Sequence, residues 1–160
     1  MATHRNTLEV TTEEVLTPRG DCIIGVGADK GAAGLNERLM RHIRNGGGML
    51  FELRVSGRSF TFEGWGSDSL ELSDPTSVVI RRSSFASPRT IAIRSSAAAI
   101  DVPRELVEEL RKGQRGIMLI YARDAGSGAD QPVRGLRRPR FPSARAADGD
   151  VRRSLNDFIR

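Results

Sequence analysis

The 160-residue chain is 38% hydrophobic and 28% charged, with a formal charge of +5, a globular profile with room for one ordinary domain. Chains of this size bury roughly 70% of their unfolded surface without help from metals or disulfides, and one cysteine beside two histidines excludes an internal disulfide and a four-ligand Cys/His zinc site. The longest uncharged apolar run, 116–122 (GIMLIYA), is too short to cross a bilayer, and the first ten residues hold no apolar leader stretch, so a cytoplasmic protein without membrane contact is expected.

Charge divides the chain in two. Residues 1–120 carry 16 Lys and Arg against 15 Asp and Glu, while 121–160 carry 9 Arg against 5 Asp. A nearly neutral domain over 1–122 and a basic tail over 123–160 follow. Only Lys30 and Lys112 are lysines among these cations, and arginine's planar fork suits carboxylates and phosphates.

In chain order, 4–10 alternates as a strand, with His4, Asn6, Leu8 and Val10 on one face and Arg5, Thr7 and Glu9 on the other. A polar connection leads to a short apolar strand over 22–26 and a glycine-rich loop over 27–34. Leu35, Leu39, Met40 and Ile43 form a helical stripe over 35–48, which Gly46 ends. Residues 49–55 and 59–65 read as a hairpin around a tight turn at 56–58. Turns at 74–77 and 87–90 introduce strands over 78–83 and 91–95. Asp101 reads as the N-cap of a second helix over 103–112, and 116–122 as a central strand. The tail is rich in Gly, Pro and Arg and has too few apolar residues to offset ordering entropy; its last stretch, 150–160, has the spacing of a short amphipathic helix. The expected fold is mainly β, antiparallel and sandwich-like or barrel-like, with two helices. An α+β ferredoxin-like order, running strand–helix–strand–strand–helix–strand from Cys22 to Ala122, is the alternative.

The segments THRNTLEVT (3–11), LTPRGDCIIGVGADKG (16–31), LSDPTSVVIRRSSF (72–85) and RTIAIRSSAAA (89–99) together resemble the archaeal family of unknown function numbered 371. The resemblance covers roughly 1–122 and is most specific at TPRGDCIIG. It implies a mainly β, sandwich-like domain and no known activity. It also implies a further strand with a Gly-His pair ahead of the ATHR block, which this sequence, starting at Met1, does not show; either the true start lies further upstream or a sheet edge is left uncovered.

Several constellations bear on function. Arg19 and Asp21 could together hold an anion; the plainer reading is a turn anchor. If 4–10 and 22–28 pair as a hairpin, Val10 lies near Cys22 and His4 near Asp29. A Cys22–His4 dyad then fails, Cys22 reads as a small buried hydrophobe, and His4 with Asp29 is a candidate acid/base pair. His42, between Arg41 and Arg44, reads as solvent-facing. Lys30 sits in a loop that lacks the spacing of phosphate-binding motifs. Arg58, Phe60, Phe62 and Trp65 share the basic and aromatic spacing of an RNA-recognition strand, although Phe60 and Phe62 fit a core shared with Phe51 and Leu53 better. Arg81 and Arg82 point to opposite faces, so one lies near the core and needs an acidic partner such as Asp74 or Asp21. Arg137, Arg138 and Arg140 form a basic run suited to phosphate contact. None of these patterns requires a cofactor or a metal. Three functions remain open: a binding module for an anionic partner, RNA among the options, using the tail and a surface near Arg19, Lys30 and Arg81; an enzyme with a His4, Asp21, Asp29 and Arg19 pocket for a small anion; and a non-catalytic assembly protein.

Overall fold

A computed structural model describes residues 2–15, 19–123 and 155–158. Alternating sequences pair into two four-stranded sheets. The first has the order β2-β1-β5-β6, formed by β1 (Thr7–Thr11), β2 (Ile23–Gly25), β5 (Ser77–Arg81) and β6 (Thr90–Ala92). The second has the order β4-β3-β7-β8, formed by β3 (Gly48–Val55), β4 (Arg58–Trp65), β7 (Gly116–Arg123) and β8 (Leu155–Phe158). The protein is mostly β with two helices, as expected. The sheets do not close into a barrel. An isolated antiparallel bridge between Trp65 and Ile93 joins them.

The second sheet is antiparallel throughout, whereas the first is mixed. There β1 runs antiparallel to β5, but β1 with β2 and β5 with β6 are parallel pairs. The ferredoxin-like alternative fails because it needs β2 in one sheet with β3, β4 and β7, and β2 pairs with β1 instead.

The core lies between the sheets. Leu8, Val10, Val78 and Ile80 from the first meet Met49, Phe51, Leu53, Phe62, Met118 and Ile120 from the second in one buried cluster. Phe51 and Phe62 are cross-strand partners whose rings stack with centroids 5.0 Å apart, an arrangement that adds to their area burial. The β3–β4 turn uses Ser56 and Gly57, both at positive φ, the backbone that a two-residue hairpin of the right twist requires.

Helix α1 (Glu37–Arg44) starts where the Asn36 side chain accepts the Leu39 N–H at 2.9 Å and ends at Gly46, φ +76°. Its apolar stripe, Leu39 and Ile43, is buried. Helix α2 (Arg104–Arg111) buries Leu106 and Val107. Its first residue follows Pro103, so Asp101 is not the N-cap. Asp101 instead closes the 3-10 turn Ala99–Asp101, where its carboxylate accepts the Ala98 N–H at 2.8 Å. Across Leu155–Phe158, where the spacing predicted a helix, the chain forms β8 and pairs antiparallel with β7 from Ile117 to Ile120. A strand edge with unpaired N–H and C=O groups gains more from a ladder than an isolated short helix does.

Phe51 carries the largest fully buried side chain. Phe51→Ala is expected to cost about 3–5 kcal/mol of unfolding free energy in a denaturant titration; a loss below about 1 kcal/mol would show that the stack with Phe62 is not central to the core.

Candidate functional site

The outward face of the first sheet is the unusual surface. Alternation puts Thr7, Glu9 and Thr11 of β1 on the side away from the core, and their β5 partners are Arg81, Val79 and Ser77. These residues are covered nonetheless: Glu9, Thr11, Ser77, Val79 and Thr90 are all buried.

A polar cluster lies at one end of this face. The Glu9 side chain is only 7% exposed, and its Oε1 lies 3.1 Å from an Arg89 guanidinium nitrogen. Its Oε2 accepts from the Cys22 thiol at 3.3 Å. The parallel β1–β2 register sets Glu9 opposite Ile23 and so brings Cys22 alongside. Arg89 reaches Glu9 across β5, while its own carbonyl accepts the Val79 N–H. Next to this pair, Arg81 donates from Nε to Thr90 Oγ1 at 3.0 Å and from its terminal nitrogen to Ser87 Oγ at 3.4 Å. Its Cζ lies 4.9 Å from the centroid of the Phe85 ring. Among the described residues, no carboxylate comes within ion-pairing distance of the Arg81 guanidinium.

The electrostatics follow from that geometry. Desolvation, and then the neighbouring Arg89 charge, lower the Arg81 pKa, and Glu9 and Cys22 offset this in part. Burial, then the hydrogen bond to Glu9, push the Cys22 thiol from its ordinary 9.0 up to about 11. Cys22 is thus no nucleophile at neutral pH. It is half-buried and hydrogen-bonded rather than simply a small hydrophobe.

The expected pairings of several residues change. With β1 and β2 parallel, His4 meets Asp21, not Asp29: the His4 N–H donates to the Asp21 carbonyl at 3.1 Å. Asp29 follows Ala28, whose N–H donates to Thr11 at the other end of β1, about 13 Å of strand away. The His4–Asp29 acid/base pair is therefore not formed, and His4 Nδ1 accepts the Asn6 N–H instead. Arg19 and Asp21 are exposed on the turn before β2. Lys30 and Asp74 belong to the Asp29 end of the sheet. There the Asp74 carboxylate accepts the N–H groups of Thr76 and Ser77 at 2.8 and 2.7 Å and shapes the turn into β5. Neither Asp74 nor Asp21 pairs with Arg81 or Arg82. Arg82 pairs with Asp101 at 2.7 Å. Arg81 has hydroxyls instead.

In the second sheet, Phe62 is buried and Phe60 packs partly buried against the core. Trp65 falls on the opposite side of β4, with its ring against Gly48. The three aromatics form no common stacking platform. Arg58 is exposed at the hairpin turn, on an open groove of about 480 Å³ lined also by Glu52, Arg54, Ser59 and Arg115. In this groove Arg54 forms two hydrogen bonds to Glu52, at 2.8 and 3.0 Å. Tyr121 donates to the same carboxylate at 3.2 Å. His42, expected in solvent, lies with Nε2 2.9 Å from the Gly48 carbonyl. Arg137, Arg138 and Arg140 lie outside the described residues. No helix among the described residues is long and apolar enough to cross a membrane.

Residues 1–123 match the family described as "Domain of unknown function (DUF371)". The chain belongs to this family. An uncharacterized protein of the archaeon Methanocaldococcus jannaschii is 41% identical to the DUF371 chain over 119 residues, which cover 74% of this chain and 88% of the relative.

Sequence reasoning missed Glu9, Ser87, Arg89 and Thr90 in the DUF371 chain. Alternation had placed Glu9 on a solvent face, and nothing local joins residues 80 positions apart. The one available signal was Arg81, a cation inside a strand that was already expected to need a partner.

The raised thiol pKa has a definite consequence. Because the folded state holds Cys22 protonated, its contribution to stability is intact below pH 9 and is lost as pH rises towards about 11. Alkylation of the native chain by iodoacetamide is expected to accelerate with a midpoint near pH 11, and Glu9→Gln is expected to lower that midpoint. Equal midpoints in the two proteins would show that Glu9 does not control the thiol.

Proposed function

We propose that this chain is a binding module for an anionic partner, with Arg81 and Arg89 as the principal contacts. The observation that carries the reading is a charge mismatch. Two guanidiniums share a partly desolvated cluster with one buried carboxylate, and among the described residues that carboxylate ion-pairs with Arg89 alone. Arg81 is left with neutral hydroxyl acceptors. A desolvated cation gains most from an incoming oxyanion, and a guanidinium binds phosphate or carboxylate oxygens through a planar fork. The hydroxyls of Ser87 and Thr90 fix the Arg81 side chain, so little rotamer freedom remains to be lost on binding.

The partner class is an oxyanion carrier, with RNA as its larger form, met in the cytoplasm. The basic run at Arg137, Arg138 and Arg140 would add phosphate contacts that are independent of sequence and sensitive to salt. An enzymatic reading built on His4, Asp21, Asp29 and Arg19 has no such support, because His4 and Asp29 lie at opposite ends of β1.

Calorimetric titration with inorganic phosphate, at several salt concentrations, tests the module. Arg81→Ala and Arg89→Ala are each expected to weaken binding about tenfold, the size of one charge-assisted hydrogen bond. Absence of binding in the parent protein, or affinity indifferent to both substitutions, would refute the reading. A defined oligomer unaffected by either change would favour an assembly role.

A further inference from the structure

We propose that the anion held at Arg81 and Arg89 is the phosphate of a nucleotide unit whose base stacks on Phe85. This inference rests on the anion-binding reading and adds the class of ligand.

Phe85 lies in the segment 82–89 that joins β5 to β6, and 62% of it is exposed. Few large apolar side chains among the described residues are so open; Val15 and Ile100 are the others. Phe85 differs from them in its neighbour and its orientation. The Arg81 guanidinium covers one face of the ring, with Cζ 4.9 Å from the centroid. The Phe85 N–H donates to Ser83 Oγ at 3.3 Å, which ties the backbone of the loop at that point. The ring thus has a cation over one face and is otherwise mostly exposed.

Such a plane is an available platform. Unpaired bases are recognised by stacking on aromatic rings and arginine planes, beside cations that hold the backbone phosphate. Here the aromatic plane and the phosphate-binding candidates are in direct contact, because Arg81 serves both. Its guanidinium polarises the ring from behind and turns hydrogen-bonding edges towards Thr90 and Ser87. Exposed hydroxyl-bearing residues, Ser83 and Ser84, directly precede Phe85 in the chain and offer donors and acceptors to a ribose or a base edge. The RNA-recognition spacing of Phe60, Phe62 and Trp65 points to a platform on β4, but those rings are turned into the core or onto the other face. The exposed aromatic beside clustered cations is Phe85.

The shared chemistry, one base with one phosphate, is available from a free nucleotide or from single-stranded RNA. Calorimetry on the full chain with AMP, ribose 5-phosphate and inorganic phosphate separates the parts of the proposal. AMP is expected to bind about tenfold tighter than ribose 5-phosphate, the lower range of one base–aromatic stack. Phe85→Ala should abolish that preference. Phe85→Trp should restore it, and AMP should quench the added indole fluorescence measured against the Trp65 background. A short oligoadenylate that binds tighter than AMP, with the same dependence on Phe85, identifies RNA as the source; equal affinity identifies the free nucleotide. If AMP and ribose 5-phosphate bind the parent equally, or if Phe85→Ala keeps the preference, the stacking proposal fails while anion binding stands. If none of the three ligands binds, both fail together.

Discussion

A carboxylate almost fully removed from water must find positive charge or donors where it sits, because its desolvation is otherwise far too costly. Glu9 imposes that constraint on the first sheet. Its side chain is 7% exposed on the face away from the core, and its two oxygens take a guanidinium from beyond β5 and a thiol from beside β2. Those contacts tie the β6 side and the β2 side of the sheet to the central strand between them. In the observed parallel registers Cys22 lies beside Glu9 on one side, and Arg89 lies level with Val79 on the other. Breaking a buried pair by removing one partner leaves an uncompensated group, so the cluster behaves as a unit.

The two sheets handle charge differently. On the second, Glu52 satisfies Arg54 and Tyr121, and Glu63 pairs with Arg123. These acids and bases pair locally, mostly at half-exposed positions where such pairs contribute little. On the first sheet the acid is buried and the bases outnumber it. Arg82, one residue from Arg81 and on the other face, has Asp101 for itself. Arg81 stacks on Phe85 and bonds to hydroxyls. A partly desolvated, oriented cation without a carboxylate partner among the described residues is a better receptor for an external anion than one already paired, as Arg54 is.

What could be read from the sequence follows the range of the interaction involved. The β3–β4 hairpin was legible because its turn and its alternation are local: Ser56-Gly57 sets the register, and Phe60 and Phe62 then fall beside Phe51 and Leu53. The α1 stripe and its glycine stop were legible for the same reason. The direction of β2 was not. Three residues without a tight turn to β1 carry no signal that separates a parallel from an antiparallel partner, and that one ambiguity displaced His4 from Asp21 to Asp29. The burial of Glu9 was hidden too. Alternation tells which residues share a face, but it does not tell whether a loop later covers that face. Arg81 was half legible, since a strand arginine near the core demands compensation; its acceptors, Ser87 and Thr90, become neighbours only when the 82–89 segment folds back.

The same geometry sets how an anion would compete within the cluster. Glu9 occupies one nitrogen of Arg89, whose side chain is still 45% exposed, so Arg89 keeps other donors directed towards solvent. Arg81 is the less exposed cation and lies between Phe85 and the hydroxyls of the β6 turn. On the proposed reading, an incoming phosphate would be shared by both guanidiniums while Glu9 keeps its pair, and each oxygen placed on Arg81 would offset the repulsion that Arg89 exerts there. Glu9 also limits the outcome, since its negative charge lies close enough to oppose a second anion. On the proposed reading the cluster selects one phosphate group, and the exposed ring of Phe85 determines which molecule carries it.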